Sequence, residues 1–424
     1  MSVSSVQTAF KAFRRHLPSR PRIYVGGGPG APLALAEALS ADPDLAAGVT
    51  FVGPWIPGLD QTDWASLHAD AYGETSFVGP VWHRSLEQGK TRVLPLTYSQ
   101  TWSWLCHTPL DGAILVTSPA DPLGRLSFGV APDFGPALTR RADLPILALT
   151  TPHMPAPAQS PTFKADRAWQ IVDTTTNLAG RSRSDPNDNM RDLGQQVARL
   201  IGDGDTLQIG IGRVPGAILA SLHQHRGLRF HSGLITDDVL ALMEAGAVAR
   251  HAGSIATGIA WGSPELYRRC AEDPCFSFHP VCHTHEATVL AAIPRFKAIN
   301  SAIGVDLWGQ ANAETVNGRP VSGIGGLSDF LRGARSSPGG RGILALPATA
   351  RQGTVSRITA ELPAGDITLS RYDVDMVVTE YGVADLGGRT AEERAQALIA
   401  IAAPAFRDEL AARWEQILSH RGGV

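Results

Sequence analysis

The chain has 424 residues, 43% of them hydrophobic and 18% charged, with a formal net charge of −3. That is long for one core, so two domains are the default. No basic stripe points to a nucleic-acid partner, and no run of 18 or more apolar residues points to a membrane span.

From the N-terminus, MSVSSVQTAFKAFRRHL lacks a signal-peptide core, and the spacing of Phe10, Phe13 and Leu17 reads as a packed terminal helix. A short strand over 22–25 runs into Gly26-Gly27-Gly28-Pro29-Gly30-Ala31-Pro32 and then a helix around 33–39. A glycine loop ahead of a helix offers backbone N–H groups to an anion. This one lacks the dinucleotide fingerprint and a P-loop lysine, so a ligand loop and a tight turn both stay open. Further strands are expected over 49–52, 91–96, 112–117 and 144–149, with a turn-rich loop over 118–129 and a helix near 134–140. His153 is read equally as a ligand contact or a packed side chain. The strand–loop–helix rhythm indicates an α/β fold. The polar stretch SRSDPNDN at 182–189 marks a boundary, which divides the chain into 1–187 and 188–424, and an amphipathic helix over 190–201 opens the second half.

The stretch 204–247 carries the clearest pattern. A buried strand over 206–209 breaks at Gly210-Ile211-Gly212-Arg213-Val214-Pro215-Gly216, and a helix over 217–223 follows. A second strand over 228–230 stops at His231-Ser232-Gly233, and a second helix covers 237–244 with Thr236 as its N-cap candidate. In an α/β sheet, ligands sit beyond the carboxyl ends of the strands, and both loops fall there. Beyond them, 254–261 and 296–300 read as strands, with 301–307 continuing or pairing with the latter. Asn317-Gly318 is a hairpin signal. The run over 322–334 is rich in glycine before a helix, a pattern that holds bound oxygen atoms with backbone N–H groups or simply packs tightly. Strands at 342–346 and 375–379 and helices at 391–400 and 405–417 complete the chain. Cys282-His283-Thr284-His285-Glu286 invites a metal reading. In a strand His283 and His285 share a face that Cys282 and Glu286 do not, and no second Cys/His cluster is available, so no metal is expected. The four cysteines, Cys106, Cys270, Cys275 and Cys282, fit a reducing cytoplasm and not a disulfide framework.

Several ordered blocks resemble the acetyl-CoA hydrolase/transferase family, which includes acetate, butyrate and 4-hydroxybutyrate CoA-transferases. They are LQIGIGRVPGAILASL at 207–222, HSGLITDDVLALMEAG at 231–246, FHPV at 278–281 and INSAIGVDLWGQANAE at 299–314. SGIGGLSDFLRGA at 322–334, LPATARQGTVSRI at 346–358 and a long block at 373–410 extend the match, and SPADPLGRLSFG at 118–129 carries it into the first half. The resemblance implies two α/β domains of the class I CoA-transferase type with an interdomain active-site cleft. It implies coenzyme A or acyl-CoA as a substrate, with no tightly bound cofactor, and a small carboxylic acid as the other partner. A homodimer stays open.

Family transferases use a glutamate nucleophile that passes through an acyl–glutamyl anhydride and a glutamyl–CoA thioester. They commonly read His-Ser-Glu or His-Thr-Glu, then Met, at this loop. This chain reads His231-Ser232-Gly233-Leu234, and glycine cannot form the anhydride. Candidate replacements are His231 or Asp237 as a base for water, Ser232 as a nucleophile, and Glu265, Glu286 or Glu314 as a relocated carboxylate. Gly210, Gly212, Gly323, Gly325 and Gly326 are the expected CoA or carbonyl contacts, with Asn300 as a polar contact. Trp261, Trp308, Phe330 and Tyr372 are acyl-pocket or core residues. The leading reading is CoA transfer between an acyl-CoA and a carboxylic acid by a non-standard mechanism. Thioester hydrolysis, another CoA-ester reaction and noncatalytic CoA binding are the alternatives.

Overall fold

Strands that are apolar at every position need cover on both faces, and this chain supplies it with helices. In the computed structural model, which describes residues 3–180 and 188–420, two compact units appear. The first comprises Met1–Ser182, His251–Thr284 and Val321–Gly325; the second comprises Arg183–Arg250, His285–Pro320 and Gly326–Val424. Most of the polar stretch at 182–189 falls outside the described residues.

The sheet of the first unit has seven parallel strands. Their order is Thr91–Val93, Tyr72–Thr75, Thr50–Val52, Arg22–Val25, Gly112–Thr117, Ile146–Thr150 and Gln170–Asp173. Side-chain alternation splits the core in two. Ile23, Val25 and Ile114 join Phe10, Phe13, Trp55 and Trp82 in one cluster. Tyr24, Ala113 and Leu115 join Tyr98, Trp102, Phe128 and Phe134 in the other. The N-terminal helix Val3–Arg15 buries Val6, Ala9, Phe10 and Phe13 at helical spacing. Strands Ile255–Ala260 and Phe276–Phe278 pair with each other in parallel.

In the second unit six strands run in the order Arg229–Ile235, Thr206–Ile209, Phe296–Asn300, Arg341–Ala345, Met376–Thr379 and Gly382–Asp385. The last pair is antiparallel. Both units start in mid-sheet. Strand Arg22–Val25 lies between Thr50–Val52 and Gly112–Thr117, and Thr206–Ile209 lies between Arg229–Ile235 and Phe296–Asn300. Such a reversal of strand order is where an α/β sheet opens a crevice. In each unit a glycine loop follows the first strand there.

Four expectations change. Residues 231–233 do not end a strand, because Arg229–Ile235 runs straight through them. His231 and Ser232 are buried, so this polar run is interior strand and not loop. Residues 301–307 do not extend strand Phe296–Asn300. Gly304–Asp306 instead pairs with Ala311–Asn312 and Ile358–Thr359, while Asp306 Oδ1 accepts the Trp308 and Gln310 N–H groups and turns the chain back. Thr236 does not cap the next helix; its hydroxyl donates to Asp238 Oδ2, and Asp237 takes the N-cap position of Asp238–Glu244, its side chain making no capping hydrogen bond to the helix. Val281–Thr284 forms one helical turn and not a strand, which leaves His283 and His285 on no common strand face. The Asn317-Gly318 hairpin is present, joining Thr315–Val316 to Arg319–Pro320 with φ of 52° and 71° at its two central residues. Among the described residues no helix is long and apolar enough to cross a membrane.

Helix Asp188–Ala198 packs on helix Arg213–Ala220 through Gly194. A Cβ there would stand 2.6 Å from the Ala217 carbonyl oxygen and 2.7 Å from Ser221 Oγ. Alanine gains up to about 1 kcal/mol in helix propensity, but overpacking against backbone costs about 1–3 kcal/mol. Gly194→Ala is therefore expected to lower the urea midpoint, with a net loss of up to about 2 kcal/mol once the full propensity gain is counted.

Candidate active site

Strand Thr206–Ile209 is buried throughout, and Gln208 with it. Its amide meets that of Asn300 on the neighbouring strand: Gln208 Nε2 donates to Asn300 Oδ1 at 3.2 Å, and Asn300 Nδ2 donates to Gln208 Oε1 at 2.8 Å. Buried amides need such partners. Asn300, expected as a ligand contact, thus spends its amide on the sheet, and Gln208 was missed because a lone glutamine in a strand carries no motif. Gly210 donates its N–H to the Ile299 carbonyl at 3.0 Å. Gly212 has φ of +119°, which strains any L side chain, and is the N-cap of helix Arg213–Ala220.

Along strand Arg229–Ile235 the side chains alternate. Ser232 has no exposed surface, and its hydroxyl lies within bonding distance of the Leu234 and Ile209 carbonyls, at 2.9 and 3.3 Å. A hydroxyl held on carbonyl oxygens in the interior is not a nucleophile poised for a thioester, so that candidate is withdrawn. The His231 ring meets Phe296 edge to face at 6.2 Å. A Cβ on Gly233 would stand 3.0 Å from His285 Cε1, 3.1 Å from His285 Nε2 and 3.6 Å from Phe330. A Cβ on Gly326 would run into His285 Nε2. The His285 ring lies 4.4 Å from that of Phe330 and is 3% exposed. Burial, and then His231, pull its pKa down to about 3, so the imidazole is neutral. His231, Gly233, His285, Gly326 and Phe330 therefore gather in one place.

The other expected residues take different surroundings. Asp237 sits at a helix start, partly exposed. Glu286 is exposed at the N-cap of Ala287–Ala292, which makes it a surface helix start and not a buried nucleophile. Glu265 is exposed and paired with Arg268 at 2.6 Å. Gly323 and Gly325 belong to the first unit. A Cβ on Gly323 would strike the Ser76 carbonyl and one on Gly325 would meet Phe77, while the Gly325 carbonyl accepts the Tyr98 N–H at 2.9 Å. Close packing accounts for both positions. Tyr372 is largely exposed, whereas Trp308 is buried edge to face against Trp414. Among the described residues no group of three or more His, Cys, Asp or Glu is placed to hold a metal ion.

In the first unit the loop after strand Arg22–Val25 also differs from a free anion cradle. Gly28 donates its N–H to Asp60 Oδ1 at 2.9 Å, and Ile56 donates to Asp60 Oδ2 at 2.7 Å. The carboxyl is buried, and desolvation raises its pKa to about 7 against the two backbone bonds. Asp133 is raised to about 8 by burial and then by Asp60. Tyr24 and Tyr98 adjoin this pair, with pKa values raised by burial and then by both carboxyls.

Residues 262–414 match the model of the acetyl-CoA hydrolase/transferase C-terminal domain. The chain is 33% identical over 411 residues to 4-hydroxybutyrate coenzyme A transferase of Clostridium kluyveri, covering 95% of each. It belongs to the acetyl-CoA hydrolase/transferase family. Succinyl-CoA:cyclohexane-1-carboxylate CoA transferase of Geobacter metallireducens is 32% identical over 310 residues, 72% of this chain and 71% of that one. Among solved structures, 4-hydroxybutyrate CoA-transferase from Porphyromonas gingivalis superposes with a TM-score of 0.77 at 29% identity, over 96% of each chain. RipA from Yersinia pestis superposes with a TM-score of 0.87 at 25% identity, over 98% of this chain and 99% of that one. The class I CoA-transferase architecture and an enzyme of the CoA-transferase/hydrolase type follow for this family member.

In this chain, the space that a side chain at 233 would enter borders the His285 imidazole. The raised carboxyl of Asp60 gives a separate handle. Folded Asp60 keeps its proton to about pH 7, whereas the unfolded side chain releases it near its ordinary 3.8. The stability tied to that proton is complete below the unfolded value, declines as pH rises toward the folded value and is gone above it. Wild-type protein is expected to lose roughly 2–4 kcal/mol relative to Asp60→Asn between pH 4 and pH 8. Urea unfolding of both proteins across that range checks the slope.

Proposed function

We propose that this family member moves CoA between an acyl-CoA and a small carboxylic acid with both substrates bound together, and without a covalent enzyme intermediate at position 233. The similarity to 4-hydroxybutyrate coenzyme A transferase over 95% of both chains carries the reaction class. The imidazole packed against Gly233 supports the departure in mechanism.

In this reading an oxygen of the acceptor carboxylate attacks the thioester carbonyl carbon. The new C–O bond forms, the carbonyl pair moves onto oxygen, and collapse expels CoA as its thiolate, leaving a mixed anhydride of the two acids. The thiolate then attacks the acceptor's carbonyl carbon. The C–S bond forms, the anhydride C–O bond breaks, and the donor acid leaves as its carboxylate. No proton is gained or lost overall. Holding both reactants in one site replaces the covalent relay by proximity. The backbone around Gly210, Gly212 and Gly326 is the proposed contact for the thioester, with His231 beside it. We place the reaction in the cytoplasm, a reading supported by four cysteines, Cys106, Cys270, Cys275 and Cys282, that do not suggest a disulfide framework.

A second reading, thioester hydrolysis, draws on the same feature: without a carboxylate at 233, water can take the acceptor's place. Initial rates over a matrix of acyl-CoA and acid concentrations separate the readings. Intersecting lines, with no CoA or acyl mass added to the protein, are expected. Parallel lines together with a CoA-linked glutamate would overturn the direct mechanism. Thiol release that ignores the acid would favour hydrolysis.

A further inference from the structure

Side chains at residue 233 point, by the Cβ direction of this strand, at one object. The Cε1–Nε2 edge of His285 lies 3.0–3.1 Å from where that Cβ would be. The same Nε2 lies against Gly326, so two positions that lack side chains flank one imidazole. Gly233 and Gly326 are each partly exposed, while the ring behind them is buried. A larger residue at 326 would collide with the ring unless the ring shifted, and one at 233 would crowd it. A side chain at 233 would press on the edge of the His285 ring, which would have to give by a few tenths of an ångström. The position without a carboxylate and the buried histidine are thus direct neighbours.

We propose that His285 is a catalytic residue of this chain, its imidazole N–H facing the thioester between Gly233 and Gly326 and hydrogen-bonding the carbonyl oxygen as it becomes negative. The proposal rests on the CoA-transfer reading above and names the group that replaces the family's glutamate. Nothing is transferred to or from the ring: the attacking oxygen forms its bond to carbon, the carbonyl pair is held on oxygen by the hydrogen bond, and the thiolate leaves when that pair returns. Three features fit a donor and not a nucleophile. The Phe330 ring at 4.4 Å fixes the imidazole plane before substrate arrives, which is what oxyanion stabilisation requires. Burial and the neighbouring His231 keep the ring neutral across the working pH range, and a neutral imidazole is a known electrophilic partner for a carbonyl. A ring so weakly basic would also be a poor proton acceptor.

The test separates donor chemistry from space filling. His285→Phe supplies volume without a donor, His285→Gln supplies a side-chain N–H, and His285→Ala supplies neither. With an acyl-CoA and acid pair that wild type converts, kcat is expected to fall about 10²–10³-fold in the Ala and Phe variants, with KM for acyl-CoA changed less than about threefold. The Gln variant is expected to recover at least about tenfold over Phe. If Phe restores wild-type kcat while Gln does not, the ring only fills space and the proposal is overturned. An acyl mass on His285 after quenching would equally overturn it, in favour of a nucleophilic imidazole. Should Ala fail to fold, the Phe–Gln contrast still decides. Wild type that converts no pair in a broad panel would overturn the CoA-transfer reading itself, which is a different outcome from active variants.

Discussion

The paired amides of Gln208 and Asn300 hold together the two strands from which the candidate site springs. They tie the end of Thr206–Ile209 to the end of Phe296–Asn300, where the strand order reverses. Each bond is worth only about 1 kcal/mol net, but removing one partner leaves a buried amide unsatisfied at about 1–3 kcal/mol. The Gly210–Gly212 turn starts immediately beyond that tie, and its position follows from it. Gly210 is itself fastened to Ile299. The glycine loop is therefore an extension of the sheet and not a flexible flap.

An imidazole in place of a carboxylate changes the electrostatics of the site. Two unit negative charges about 4 Å apart repel by about 4 kcal/mol at an effective dielectric of 20. A carboxylate at 233 and a free acceptor acid would meet that repulsion, while a neutral His285 does not impose it. The groups that flank Gly233 are an imidazole and a phenyl ring. In the direct transfer proposed above, such surroundings suit an anionic acceptor that enters while the thioester is still intact.

Much of the frame was legible in the residues. The strands over 112–117 and 296–300, the terminal helices and the Asn317-Gly318 turn carry strong local signals, either an unbroken apolar run or a dipeptide suited to positive φ. The site was legible in part. His231, Gly233 and Gly326 stand in recognisable blocks, and two of them prove to lie against one ring. His285 was not legible, since it sits in a short Cys/His run whose local pattern points to metal and whose real neighbours come from distant parts of the chain. Ser232 misled for the opposite reason. Its type suggests chemistry, but its side of the strand, set by alternation, turns it onto backbone carbonyls. Sequence gives residue types and periodicity; which of two faces meets which neighbour is decided only when the sheet is assembled.

Both sheets begin in the middle, and this bears on how the protein acquires its shape. Strand Thr206–Ile209 gains a neighbour on one side from Arg229–Ile235 and on the other only from Phe296–Asn300. Strand Arg22–Val25 is likewise completed only by Gly112–Thr117. Pairings so far apart along the chain form slowly, because loop closure precedes any reward from contact. The tie between Gln208 and Asn300, and with it the placement of the glycine loop, cannot exist in a nascent chain that has not yet extended past residue 300. Closure of the sheet and placement of the glycine loop are one event in the second unit.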